Sequence, residues 1–309
     1  MSKFLVTGGC GFIGSHLVRS LIREGHTVRV LDDLSTGKKA KLPPGVELVV
    51  GDVANGVVTD RCMQGVDGCY HLAAVASVQR SIEAWQETHR TNMSGTIAVL
   101  NAARGSEDRR NIPVVFASSA AVYGANKNVP LVEGASVEPL SAYGADKLGC
   151  ELHGAVAASA FGMQVTAFRF FNVYGPGQDP SSPYSGVVSI FVRRMIERKP
   201  ITIFGDGKQT RDFVFVSDVV NALKSGMEFN KLGFRVYNVC TGKGSSLLEI
   251  IDTLESITAR KNVVLFSQER NGEVRDSIGD PSSLRDELGV EAQISLSQGL
   301  STLFAEEFC

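Results

Sequence analysis

Tyr143 and Lys147 stand four residues apart in the run Ser141-Ala142-Tyr143-Gly144-Ala145-Asp146-Lys147. On a helix that spacing puts both side chains on one face. A free phenol titrates near pH 10, too high for a base at neutral pH. A neighbouring ammonium favours the phenolate. Bringing the titration to about pH 7 needs roughly 4 kcal/mol of differential stabilisation, at about 1.4 kcal/mol per unit. A tyrosine so placed moves protons. Ser118-Ser119 precedes it in the chain, and a hydroxyl there can bridge a substrate oxygen and the phenol. Each signal is weak alone: a Y-x-x-x-K is often a surface helix pair, and strand-end serines often cap backbone groups. The case therefore rests on what accompanies them.

Thr7-Gly8-Gly9-Cys10-Gly11-Phe12-Ile13-Gly14 follows a β-rich run and opens a helical one. Glycines there allow a tight turn and close approach to a pyrophosphate, which then sits on the helix N-terminus. Asp32 and Asp33 end the next β-rich run. A carboxylate at that point accepts hydrogen bonds from ribose hydroxyls and repels a 2′-phosphate, which favours NAD over NADP. Asp52, with Val53, ends a further run and suits the adenine amino group.

Positioning these groups requires strands separated by helices. Phe4–Thr7, Thr27–Asp32, Glu47–Gly51, Gly68–Leu72 and Pro113–Ser118 read as buried strands, and Ser15–Arg23, Thr91–Ala103 and Ala142–Ala160 as helices. That alternation predicts βαβ units and an α/β, Rossmann-like, doubly wound parallel sheet. Ligands bind such sheets beyond the carboxyl ends of the strands, where these residues fall. From about Tyr174 the texture changes. A Pro/Gly/Ser-rich loop over Gly175–Gly186 is followed by a predicted helix (Ser189–Glu197), a strand (Pro200–Phe204), a Gly205-Asp206-Gly207 turn and a strand-then-helix stretch (Val214–Met227). The tail from Leu247 mixes helices and short strands. This predicts an NAD-binding domain over 1–173, with a return to it around 213–240, and a smaller C-terminal α/β lobe, mainly for substrate, over 174–309.

Bulk properties exclude several classes. The 309 residues carry 31 Lys+Arg against 33 Asp+Glu, a net charge of −2, with no basic excess to ask for nucleic acid. No apolar stretch is clean and long enough to span a bilayer. The six cysteines form no C-x-x-C pair and no zinc-like cluster with histidine. A cytoplasmic protein with reduced thiols and no metal is expected.

The ordered set Thr7–Gly14, Asp32, Asp52-Val53, His71-Leu72-Ala73-Ala74, Ser119, Tyr143 and Lys147 resembles the extended short-chain dehydrogenase/reductase family, over nearly the whole chain. The segments Ser118–Gly124, Arg169–Pro176 and Gly205–Phe213 resemble its nucleotide-sugar epimerase branch. The resemblance implies Ser119, Tyr143 and Lys147 as the catalytic triad. It implies NAD contacts from Gly8, Gly11, Phe12, Ile13, Gly14, Asp32, Asp33, Leu34, Ser35, Thr36, Gly37, Asp52, Val53, Leu72, Ala73, Ala74, Asn92, Tyr143, Lys147 and Phe171. Substrate contacts are implied at Ser77, Val78, Ser119, Tyr143, Asn172, Val188, Phe204, Arg211, Arg270 and Ser277. Arginine binds phosphate bidentately, so Arg211 and Arg270 suit the diphosphate of a UDP-sugar, with Phe204 a wall of the base pocket. Tyr143 would deprotonate the sugar 4-hydroxyl during transient oxidation to a 4-keto sugar, with NAD retained.

Related dehydratases and decarboxylases carry an acidic residue one or two positions after the catalytic hydroxyl. Here those positions are Ala120 and Ala121, which cannot serve as acid or base, so 4-epimerisation is favoured over dehydration. Ser277 falls where the family has a gatekeeper beside the sugar 2-substituent. A small residue there leaves room for an N-acetyl group, predicting UDP-GlcNAc/UDP-GalNAc as substrates, with UDP-Glc/UDP-Gal as a further pair. Two alternatives stand: a UDP-glucuronate 4-epimerase using Arg80 on the sugar carboxylate, and a non-catalytic NAD-sensing protein. By family analogy the Thr91–Ala103 and Ala142–Ala160 helices pair in a homodimer, and the product feeds polysaccharide biosynthesis.

Overall fold

The computed structural model describes residues 1–105, 110–179, 186–229, 231–269 and 274–308. They divide into two compact units, the first over Met1–Gly124, Val137–Arg169 and Val220–Tyr237, the second over Ala125–Ser136, Phe170–Val219 and Asn238–Cys309. Residues 125–136 and 170–173 fall in the second unit, and the chain's return to the first spans 220–237.

In the first unit β1 (Lys3–Thr7) leads to α1 (Phe12–Arg23), β2 (Thr27–Asp32), β3 (Glu47–Val50), α2 (Gly56–Met63) and β4 (Gly68–His71). There follow α3 (Val78–Glu83), α4 (Trp85–His89), α5 (Gly95–Ala103), β5 (Val114–Ser119), α6 (Ala142–Phe161) and β6 (Gln164–Phe170). The sheet order is β3-β2-β1-β4-β5-β6, with Gly233–Val239 beyond β6. Adjacent pairs from β3 to β5 run parallel. This is the doubly wound dinucleotide-binding order, whose strand sequence reverses beside β1. The core is apolar on both faces: Leu5, Leu31, Val114, Phe116, Val165 and Ala167 are each at most 2 % exposed.

α6 is capped at its start by Ser141, whose side chain accepts from the Gly144 amide, and ends at Gly162 in the left-handed region (φ 62°). Its buried face carries Asp146, Lys147 and Glu151 among small residues. Charges on the inward face of a helix call for partners or a function. The predicted Thr91–Ala103 helix opens with a π-helical turn over Arg90–Ser94 before α5 begins. One extra residue per turn, common at functional sites, turns Asn92 inward to 1 % exposure. β6 escapes the sequence reading because Gln164, Thr166 and Arg169 interrupt its apolar residues, yet all seven of its residues are buried.

In the second unit Thr210–Phe215 is central: Gly244–Ser246, Asp276–Ser277 and Asn172–Tyr174 all pair with it. Ile201–Phe204 pairs with Val264–Ser267. Helices Val187–Ile196 and Leu247–Thr258 present Phe191, Val192, Ile250 and Leu254 to its core. No described helix is long and apolar enough to cross a membrane.

Candidate active site

Two observations test whether the glycine turn fits a dinucleotide. First, it is built for backbone, not side chains. Gly8 has φ +70°, and a Cβ on it would lie 2.6 Å from the Ala73 amide nitrogen. A Cβ on Gly14 would lie 2.2 Å from the Gly8 carbonyl oxygen. Second, the residue capping the start of α1 is Gly11, which has no side chain to cap it, so its leading amides lack the side-chain acceptor that an ordinary helix start supplies and suit an anion. Asp32 ends β2 beside this turn. Its carboxylate accepts from the Cys10 amide (2.9 Å) and the Leu34 amide (2.9 Å) and is 7 % exposed. Burial, set against those two backbone bonds, raises its pKa. Gly37 closes the loop after β2, where a Cβ would strike the Cys10 Cβ at 2.7 Å and an Asp32 oxygen at 2.8 Å. Asp33, Ser35 and Thr36 are exposed, with Asp33 accepting from the Ser35 amide and hydroxyl. The residues present therefore fit NAD, through Gly8, Gly11, Phe12, Ile13, Gly14 and the Asp32–Gly37 loop.

Asp52 accepts from the Ala54 amide (2.8 Å) and is ion-paired with Arg90. Val53 is buried (4 %). Asn92, expected as an NAD contact, is bonded to the loop after β4. Its amide oxygen accepts from the Val75 amide (2.8 Å) and its nitrogen donates to the Val75 carbonyl (3.3 Å). An amide engaged at both ends acts on the loop after β4, which carries Leu72, Ala73 and Ala74.

The residues expected to transfer protons share this unit. The Lys147 ammonium is buried (4 % exposed), donates to the Ala117 carbonyl at 2.8 Å and lies 5.9 Å from the centroid of the Tyr143 ring. Tyr143 is half-buried, and its amide donates to Ser81 Oγ on α3. Gly144 lets α6 press against the turn after β5, since a Cβ there would stand 2.6 Å from the Ala121 carbonyl oxygen. The two serines separate cleanly. Ser118 is 2 % exposed and donates to Glu151, whereas Ser119 is half-buried and its oxygen accepts from the Ala121 amide. Ser119 is the hydroxyl available beside the strand end. Ala120 and Ala121 form the turn that follows.

At the end of β4 lies His71, which the sequence marks only as part of a motif. Thr96 donates to the Asn92 carbonyl (2.7 Å), so it accepts from His71 Nε2 (3.0 Å). With Nε2 carrying the proton, Nδ1 accepts from the Thr7 hydroxyl (2.7 Å), which itself accepts from the Ala73 amide (3.2 Å). These roles assign the neutral Nε2–H tautomer. Burial, and then the Lys147 charge, lower its pKa to about 3. A sign follows for stability. Above about pH 6.5 His71 is neutral folded and unfolded. Between 6.5 and 3 the unfolded chain takes up a proton that the folded chain refuses, so this site removes up to about 1.4 kcal/mol per pH unit as pH falls. Asp32 and Asp212, with raised values, act in the opposite sense. Urea unfolding at pH 7, 6, 5 and 4 is expected to show a shallower acid loss in His71→Gln than in the parent protein. Equal slopes would refute the assignment.

The second unit holds most of the expected substrate contacts. Ser277 pairs in register with Arg211 on neighbouring strands. The Arg211 guanidinium donates to the carbonyls of Thr210 (2.8 Å) and Arg275 (3.1 Å). Phe204 precedes the turn at Gly205 and Gly207, both with positive φ, and Arg275 forks onto Asp206 at 2.8 and 3.0 Å. Asn172 pairs with Phe213. Val188 is 1 % exposed, inside the helix packing of this unit. Phe171 is 5 % exposed against Gly279, where a Cβ would stand 2.6 Å from its ring. Arg270 lies outside the described residues. In the first unit, Ser77 caps α3 by accepting from the Arg80 amide (3.0 Å), and Val78 is exposed. Arg80, the cation required by the uronate alternative, is paired with Glu87 at 3.0 Å.

Sequence reasoning missed Glu151 and Arg169. Glu151 follows Lys147 at the same four-residue interval, a signal visible in the chain; Arg169 hides in an unrecognised strand.

A glycine cradle at a β1–α1 turn, a strand-end carboxylate and a Ser–Tyr–Lys set in one doubly wound unit define an NAD-dependent enzyme of the short-chain dehydrogenase type. Residues 4–240 match the NAD dependent epimerase/dehydratase family, and the chain belongs to that family. A UDP-glucose 4-epimerase of Mycolicibacterium smegmatis is 34% identical over 307 residues, covering 97% of this chain and 96% of its own length. The crystal structure of the Thermotoga maritima UDP-glucose 4-epimerase with UDP-glucose is similar at TM-score 0.93 and 34% identity, over 99% of this chain and 98% of that one. The UDP-N-acetylglucosamine 4-epimerase of Methanobrevibacter ruminantium, in complex with UDP-N-acetylmuramic acid, is similar at TM-score 0.93 and 31% identity, with the same coverage.

Proposed function

We propose that this protein is a UDP-hexose 4-epimerase that interconverts UDP-GlcNAc and UDP-GalNAc, and also UDP-Glc and UDP-Gal. The observation that carries the reading is the buried Lys147 ammonium, 5.9 Å from the Tyr143 ring and bonded to the Ala117 carbonyl of the strand that ends in Ser119. Bound NAD supplies the reversible two-electron oxidation at carbon 4. The chain's residues do the rest. Tyr143 takes the proton of the 4-hydroxyl and returns it after the sugar has turned over. Lys147 favours the phenolate by its charge. Ser119 holds the sugar oxygen against the phenol. Arg211 holds the diphosphate, so the keto sugar is not lost during its rotation. With Ala120 and Ala121 following Ser119, no side chain in that turn can remove a neighbouring proton, which supports epimerisation over dehydration.

Substrate breadth rests on Ser277. It is half-buried and in register with Arg211, close to the residue assigned to the phosphates. A small side chain there supports room for a 2-acetamido group. Turnover of the four UDP-sugars tests this: isomer formation from the N-acetyl pair is expected, and its absence would remove the specificity claim. Ser277→Tyr is expected to cut kcat/KM for the N-acetyl pair about 100-fold, the cost of overfilling a packed site by about 3 kcal/mol. The same change should leave the plain hexoses within a few-fold.

The reading includes a homodimer. Ile97 on α5 and Leu152, Val156 and Phe161 on α6 are 40 to 62 % exposed, an apolar set on the two helices expected to pair. Sedimentation as a single chain would exclude it.

A further inference from the structure

Tyr143, Lys147 and Glu151 recur every four residues along one face of α6. Two consecutive turns of that helix are fastened to consecutive residues of β5. Lys147 donates to the Ala117 carbonyl at 2.8 Å, and the Glu151 carboxylate accepts from Ser118 Oγ at 2.5 Å. The next residue of the strand is Ser119. The alignment of the proton-transfer helix against its serine is therefore set in part by a carboxylate 4 % exposed. A buried carboxylate is unstable unless paired. Arg169 on β6 pairs it with both prongs, Nε to Oε1 at 2.9 Å and Nη2 to Oε2 at 2.7 Å. The guanidinium is itself 4 % exposed and lies 4.8 Å from the centroid of the Tyr123 ring.

We propose that Arg169 is a positioning residue: by forking onto Glu151 it lets that carboxylate clamp α6 to β5 without drawing on the charge that Lys147 supplies to Tyr143. Without Arg169, Glu151 would stand one turn from Lys147 as an uncompensated anion. The ammonium would then be shared between carboxylate and phenol. The other ionisable groups near α6 have partners of their own. Arg80 on α3 pairs with Glu87 on α4, His89 on α4 with Asp146, and Arg90 of the π turn with Asp52. Glu83 on α3 accepts from Gln79, His71 is held neutral, and burial keeps the Cys150 thiol protonated. β5, α5 and the Ala120–Val122 turn bring no charged residue. Lys147, Glu151 and Arg169 are the buried charges shared by this helix face and the strands beneath it, with the Tyr123 ring beside Arg169.

The proposal rests on the epimerase reading, and its test separates the two. Holoenzyme is made as Arg169→Met, as Glu151→Gln and as the double variant. The kcat profile against pH is measured for each with the UDP-sugar turned over. Arg169→Met is expected to displace the acidic limb to higher pH by about one unit, the effect of one charge about 12 Å along a helix at a dielectric near 20. Near pH 7 its kcat should fall about tenfold with KM within about twofold. Glu151→Gln leaves a net positive charge, so its limb should move to lower pH, and the double variant should return close to the parent profile. Limbs that stay in place, or that move together in both single variants, would overturn the proposal. So would a loss of activity that merely tracks bound NAD or melting temperature. If Arg169→Met does not fold, Glu151→Gln and the double variant still carry the test. Phenolate absorbance at pH 7.5, read against Tyr143→Phe in each background, needs no turnover. If no sugar is turned over, the epimerase reading alone fails. The absorbance difference, lower in Arg169→Met and higher in Glu151→Gln, still decides the charge claim.

Discussion

Tyr143→Phe is expected to lower kcat about 1,000-fold for whichever UDP-sugar the protein turns over, with bound NAD and thermal stability close to the parent. General acid–base groups contribute about 10² to 10⁴, and no other group on the same helix face can replace the phenol. Lys147 is an ammonium engaged with the Ala117 carbonyl, and Ser119 is a hydroxyl that accepts from a backbone amide. Phenylalanine keeps the ring that faces Lys147 and loses only the oxygen. The fold should not notice, because the backbone amide of residue 143 carries the bond to Ser81. Steady-state isomerisation, with nucleotide content measured on the same preparation, checks the prediction. A variant retaining a tenth of the parent kcat would remove Tyr143 from the proton-transfer role. Unchanged behaviour would favour a protein that senses NAD without using it.

Gly14→Ala is expected to yield protein with less than a tenth of the parent's bound NAD and a stability lower by about 1–3 kcal/mol, the usual range for forcing a methyl into packed backbone. The new carbon would lie 2.2 Å from the Gly8 carbonyl oxygen and 2.9 Å from the Gly9 Cα. These are backbone atoms of the turn itself, so relief requires moving the turn away from the N-terminus of α1. That displacement removes the close approach a pyrophosphate needs. Loss of the ligand compounds the effect, since a ligand bound only by the folded state stabilises it. Nucleotide released on denaturation, quantified per chain, together with a urea unfolding curve, reads both parts. Full NAD content in Gly14→Ala would mean the cofactor is held elsewhere.

The cofactor cradle was legible in the chain because its physics is local. Glycine spacing, a following helix and a strand-end aspartate lie within 32 residues of the N-terminus, and each acts through backbone geometry that the residue type dictates. The Tyr143–Lys147 pairing was legible for the same reason, since a four-residue interval becomes adjacency on any helix. Which of Ser118 and Ser119 faces outward was not legible. A strand alternates its faces, but its direction and cover are set by neighbours, here Glu151 on a helix and Arg169 on a strand 18 residues further on. β6 itself was hidden because a buried salt bridge places arginine where the pattern demands an apolar residue. Asn92 illustrates the same limit. Its identity suggests a ligand contact, and only the fold shows the bond that its amide also makes to the Val75 backbone.

Sequence by itself thus determined the class of chemistry and the local geometries that serve it: the bare turn at Gly8–Gly14, the phenol beside an ammonium, and the small residues after Ser119. Tertiary structure decided how distant charges are balanced: Glu151 by Arg169, Asp52 by Arg90, Asp206 by Arg275, and a neutral His71 between Thr7 and Thr96. The physical reason is range. Helical and turn preferences are settled over a few residues, whereas burying a charge or an imidazole is tolerable only where a partner arrives from elsewhere in the chain.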